Sequence, residues 1–263
     1  MNGGGAGLER EIEELSRRSH GNRRKKRIEF AAWLRDAYRT ASDKRFLVIH
    51  NPGGWGNARL DELLDWEKSV VDGVGATMDE LGHSWAMVQH FRSGGSYWRH
   101  IMEIRKEIIF FFTGRSHAAR VLAAGLKLLN RHLPELTFLL VGASQGAAFG
   151  NAVMRELHGH DSVYSIELGT FFPHVPRRVI TARTLAIDTN GLMPDPMFKL
   201  DIWIGIKAYF RALAEWLRYL GQGKRVRFVN CIHNRGHEYY WEYDAVHGGV
   251  QRFLKARFGT GRK

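Results

Sequence analysis

Short apolar runs alternate with longer stretches of helical spacing along most of this chain. Phe46 to Ile49, Trp85 to His90, Leu136 to Val141, Val163 to Glu167 and Arg183 to Ile187 read as strands. Between them, Leu60, Leu63, Leu64 and Val70 mark a helix expected from Ala58 onward. Ala118, Leu122, Leu126 and Leu129 mark another over 116–132, which Pro134 closes. Upstream, Leu8, Ile12 and Leu15 predict a short helix, and Phe30, Trp33, Leu34 and Tyr38 a stripe that docks on the domain. Downstream, Arg225 to Ile232 alternates as a half-exposed last strand, and Val246, Val250, Phe253 and Leu254 supply a final helix. Ile108 to Phe112 fits a short strand or a buried helix equally well. Strands alternating with helices predict an α/β fold with a mostly parallel sheet.

The stretch from Leu136 to Leu157 organises the rest. Its apolar run ends in Gly142-Ala143-Ser144-Gln145-Gly146, and helical spacing resumes at once through Phe149, Val153 and Leu157. Strand, sharp Gly-x-Ser-x-Gly turn and helix is the setting that a nucleophilic serine requires. Such a turn strains the serine's backbone, so the residues two before and two after it must be small. Gly142 and Gly146 meet that need. Without the chemistry, the same residues make an ordinary tight strand-to-helix turn.

This stretch resembles the nucleophile elbow of the α/β-hydrolase superfamily, and Gly-Ala-Ser-Gln-Gly-Ala is similar to the elbow of its cutinase-like and lipase-like members. The resemblance is close at the elbow and extends over roughly residues 44–258. It implies an α/β-hydrolase fold with helices on both faces of the sheet and a helical insert before the last strand. It also implies a serine hydrolase that cleaves a carboxylic ester, lipid esters and thioesters included, through an acyl-enzyme on Ser144, with no cofactor and no metal. His237, in Gly236-His237 beyond the last strand, falls where the superfamily keeps its general base. His233 sits too near the strand and His247 within the helix pattern. The acid is open. Gly191 stands where a lipase-like pattern has its carboxylate, which leaves Asp188, favoured for its place at a strand end, Asp195 as the alternative, and Glu167 third. Backbone N–H groups of Gln145 and of Gly53 or Gly54 are expected to form the oxyanion hole, since Pro52 in the same loop has none. A metal reading of His233 and His237 with Glu238 lacks a third ligand at diagnostic spacing.

Composition sets the surroundings. With 263 residues, 44% of them hydrophobic, the chain can bury a large single core. One cysteine, Cys231, rules out an intrachain disulfide framework and suits a reducing compartment. No run of about 18 uncharged apolar residues is present, and the start lacks a basic-then-apolar leader, so a cytoplasmic protein is expected. The net charge of +12 is unevenly placed: Arg17 to Arg27 holds seven Arg or Lys and no acid. Residues 1–28 therefore read as a basic, flexible arm on a domain of 29–263, able to meet anionic lipid, nucleic acid or a partner. No nucleic-acid motif is recognisable, so a small-molecule or lipid ester, with peripheral contact at an anionic membrane, is the expected company. Residues 197–222 carry Ile206, Phe210, Leu213, Leu217 and Leu220 on one stripe. That segment reads as a lid, a membrane-resting helix, a dimer face or a plain connecting helix. A second reading keeps the fold and drops the chemistry: a non-catalytic binding module recruited to membrane or nucleic acid by its arm.

Overall fold

Five strands, all parallel, form one sheet: β1 (Phe46–Asn51), β2 (Trp85–Gln89), β3 (Thr137–Ala143), β4 (Val163–Leu168) and β5 (Thr184–Ile187). Their spatial order is β2-β1-β3-β4-β5. The coordinates are a computed structural model that describes residues 3–54, 56–92, 109–110, 113–199, 211, 214–223 and 236–259. Seven α-helices are described: α1 (Gly3–His20), α2 (Arg24–Ala41), α3 (Asp65–Glu80), α4 (His117–His132), α5 (Gln145–Glu156), the short α6 (Pro196–Lys199) and α7 (Asp244–Phe258).

The strands read as unbroken apolar runs because both faces of the sheet are covered. Their side chains alternate between two cores. Leu47, Ile49, Phe138 and Leu140 meet α1, α2, α4 and α5 on one face, through residues such as Ile12, Leu34, Leu122 and Phe149. Phe46, Val48, Leu139 and Val141 meet α3 and α7 on the other, through Val70, Met78, Val246 and Val250. The predicted strands and helices in these regions match the observed ones to within a few residues at their ends. Ser116 caps α4, its hydroxyl accepting from the Ala119 N–H at 3.2 Å.

Two expectations are corrected. Residues 3–20, expected within a flexible arm, form a docked helix. Leu8 and Ile12 are buried in the core, and Arg35 of α2 ties α1 down by bonding Glu9 at 2.8 Å and Glu13 at 2.5 Å. The apolar stripe at i, i+4 outweighs the charge of the outer surface. The helix expected from Ala58 begins instead at Asp65, after a 3-10 turn at Leu60–Glu62. That turn is held to β2, because the Leu60 N–H donates to the Gln89 side chain at 3.1 Å.

The expected strand 225–232, His233, Cys231, most of the 108–112 run and half of the 197–222 segment lie outside the described residues. Among the described residues, no helix is long and apolar enough to cross a membrane.

Candidate active site

The strand order reverses between β1 and β3. From β1 the chain moves to β2 on one side, and from β3 it moves through β4 to β5 on the other. In open parallel sheets such a reversal opens a crevice at the carboxyl ends of the strands, where ligands bind. Ser144 stands there, between the end of β3 and the start of α5. Its backbone, at φ 54° and ψ −118°, has the only positive φ of any non-glycine among the described residues. Such a conformation costs of order 1–3 kcal/mol and persists only when its surroundings dictate it.

The surroundings do dictate it. The Ser144 N–H donates to the Leu168 carbonyl of β4 at 2.8 Å. A Cβ on Gly142 would lie 2.6 Å from the Gly146 backbone, and one on Gly146 would fall on the Asn51 carbonyl oxygen. Both glycines are thus required by backbone on either side. Ser144 itself is half-buried, reachable from the crevice.

Across the crevice runs the loop after β1. Glu67 of α3, buried, accepts from the Gly53 N–H at 2.8 Å and faces His50 Nε2 at 3.2 Å. Gln89 faces the other ring nitrogen of His50, also at 3.2 Å, so the imidazole is held from both sides. Arg92 clamps the outside of the loop by donating to the carbonyls of Pro52, at 3.0 Å, and Gly54, at 2.7 Å. The Gly53 N–H, one of the expected oxyanion donors, is engaged by Glu67. No hydrogen bond engages the Gly54 N–H among the described residues. Gln145 opens α5, where N–H groups point off the helix end.

His237 meets a buried carboxylate. His237 Nδ1 lies 2.7 Å from Asp195 Oδ2, with the carboxylate fully buried and the imidazole 13% exposed. Tyr239, also buried, donates its hydroxyl to the same Oδ2 at 2.6 Å, and the Met197 N–H donates to Oδ1 at 2.8 Å. Burial and the charge of Asp195 drive the Tyr239 pKa well above its ordinary value, so the phenol stays a donor. The Trp66 ring of α3 meets His237 edge-on at 6.2 Å. Gly169 joins this group to Ser144. A Cβ there would lie 2.9 Å from Asp195 Oδ2 and 3.0 Å from His237 Cε1, while its neighbour Leu168 holds the Ser144 N–H.

Asp188, the favoured acid, is elsewhere. Its two oxygens accept from Arg178 at 2.7 and 2.5 Å, and that guanidinium also donates to Thr170. The strand end fixes Asp188 as expected, but in a fork with Arg178 and not on His237. Asp195 reaches His237 because the chain folds back after β5. Thr189 and Pro194 pair as an isolated antiparallel bridge, and the buried Asn190 accepts from the N–H groups of Leu192 and Met193 while donating to the Glu238 carbonyl. Glu167 is also away from His237. It is fully buried, accepts from Asn151 and Ser165, and has its pKa pushed up to about 7 by burial.

Glu67, Gln89, Arg92 and Tyr239 were not anticipated as site residues. Glu67 does leave a trace, a carboxylate set between Trp66 and Val70 on the buried stripe of α3. Among the described residues, no group of three His, Cys, Asp or Glu is placed to hold a metal ion. Compared with known proteins, the sequence matches no protein-family model and no curated protein.

Proposed function

We propose that this protein is a serine hydrolase of the α/β-hydrolase type that cleaves carboxylic esters through an acyl-enzyme on Ser144. One observation carries the reading: a strained serine at the sheet's switch point shares a joint, Leu168-Gly169, with a buried Asp195–His237 pair. An ordinary strand-to-helix turn needs neither the strain nor the pair.

The roles follow from which atoms are already engaged. Asp195 occupies His237 Nδ1, so Nε2 is the nitrogen left to take a proton. As the Ser144 oxygen attacks the ester carbonyl, its proton passes to Nε2 and the carbonyl oxygen becomes an oxyanion. The N–H groups of Gln145 and Gly54 are the donors assigned to it. Nε2 then returns the proton to the departing alkoxide, leaving the acyl group on Ser144. Water, deprotonated by the same nitrogen, releases the acid and restores the serine. Asp195 orients the ring and offsets its positive charge, while Tyr239 and the Met197 N–H hold the carboxylate in place.

Hydrolysis of a p-nitrophenyl ester series tests this. The wild-type chain should turn over these esters, and Ser144→Ala should lower kcat by about three orders of magnitude or more while leaving the melting curve intact. Equal turnover by wild type and Ser144→Ala would end the proposal.

A further inference from the structure

The carboxyl edge of the sheet carries two features that catalysis does not use, and they lie on the same side of the molecule. The first is the basic run at the α1–α2 junction. α2 ends just before β1 and packs back along the sheet, so its first turn stands at the strands' carboxyl edge. Trp33, farther down α2, already reaches the end of β2, donating to the Gln89 carbonyl at 2.9 Å. His117, which opens α4 ahead of β3, lies 2.9 Å from the Ser19 carbonyl and fixes the junction at that edge. Here Arg17, Arg18, Arg23, Arg24 and Lys25 are exposed. Glu14 pairs with Arg18 and Glu29 with Lys25, but Arg17, Arg23, Arg24 and Arg27 make no ion pair among the described residues.

This arrangement works against the fold. Four consecutive cations, Arg24 to Arg27, fill the first turn of α2, where the helix dipole is already positive and no acidic residue lies in that turn. His20 is held neutral beside them, its pKa lowered to about 4 by burial and by His117, Lys26 and Arg23. An anionic surface pressed against the junction relieves the crowding of these cations.

The second feature is apolar. Leu192 (66% exposed) and Met193 (43%) lie on the turn between β5 and Asp195. That turn is held by Asn190, so these side chains are presented and not merely loose. Phe91 (45%) follows β2 at the opposite end of the strand order, and Ile28 (57%) follows the basic run. Exposed apolar residues therefore flank Ser144 on both sides along one edge.

We propose that this edge docks on a bilayer containing anionic phospholipid, with the Arg17–Arg27 cluster on the headgroups and Leu192, Met193 and Phe91 at the acyl boundary. A nucleic acid would match the cations but leave the apolar flanks without a role, so the bilayer is the better fit. The docking claim stands on charge and exposure alone; that the bilayer delivers the ester to Ser144 rests on the hydrolase reading.

The test is co-sedimentation of full-length Ser144→Ala with vesicles of phosphatidylcholine alone or mixed with phosphatidylglycerol. Binding should be at least about tenfold tighter to the anionic vesicles and weaken as salt rises from about 0.1 to about 0.5 M. Adding Arg17→Gln, Arg23→Gln and Arg24→Gln should lower it by about tenfold or more. Adding Leu192→Ser and Met193→Ser instead should remove the binding that survives high salt. In the wild-type background the arginine changes should leave hydrolysis of a soluble ester unchanged, which separates failure of docking from failure of catalysis. No vesicle binding, binding indifferent to the arginines, or binding to single-stranded DNA in preference to anionic vesicles would overturn the proposal.

Discussion

The Tyr239 hydroxyl and the His237 imidazole converge on one oxygen of Asp195, at 2.6 and 2.7 Å. Tyr239 thereby holds the carboxylate where it can orient the imidazole. Tyr239→Phe removes only the hydroxyl. We expect kcat on a soluble ester to fall by about tenfold, with KM little changed. A tyrosine that only packs would leave kcat within about twofold of wild type.

Asp195→Asn and Asp188→Asn should separate cleanly. The first removes the carboxylate on His237 and should lower kcat by roughly three to four orders of magnitude. The second leaves the 5%-exposed Arg178 without its partner and should cost about 2–4 kcal/mol in urea unfolding, with kcat within about tenfold of wild type. The reverse pattern would return the acid role to Asp188.

How far the site could be read from sequence depended on whether a residue's role is fixed by its immediate neighbours. The turn at Ser144 was legible because backbone contacts impose glycine at 142 and 146, and these leave their mark within five residues. His237 followed from a Gly-His after the last expected strand. The carboxylate that meets His237 was not legible in this way. Asp188 and Asp195 differ only in how the chain folds between them, and that is set by Asn190 reaching Glu238 and by Arg178 waiting for Asp188. Neither partner is marked locally. The docking of α1 was visible as a stripe through Leu8 and Ile12, yet the charge around it drew attention to the wrong property.

Gly146→Ala tests the tightness of the turn independently of activity. The added methyl falls on the Asn51 carbonyl oxygen, with the Pro52 carbonyl at 2.9 Å, and neither piece of backbone can swing aside as a side chain would. A loss of more than about 3 kcal/mol in chemical denaturation is expected.

Buried Glu167 makes stability depend on pH in a direction unusual for a carboxylate. Its folded pKa, raised to about 7, lies above the ordinary value of 4.5, so its contribution is complete below the unfolded pKa and is lost as pH rises through the folded one. Buried His90 and His174, both with pKa lowered to about 4, act oppositely and weaken the fold on the acid side. Glu167→Gln should therefore make Tm rise more steeply than in the wild type between about pH 4.5 and about pH 7, where the Glu167 contribution falls while those of His90 and His174 grow. An unchanged slope in the variant would mean that the carboxyl is already ionised among Asn151, Ser165 and Arg178.

The central claim is that Ser144 is an activated nucleophile, and reaction with a fluorophosphonate reads this directly. Intact-mass analysis of the wild type should show one covalent adduct, located on Ser144 by peptide mapping. The adduct should be absent from Ser144→Ala and form at least about a hundredfold more slowly in His237→Ala and Asp195→Asn. A well-folded wild type that gains no adduct, or one that labels equally with and without His237, would contradict the account.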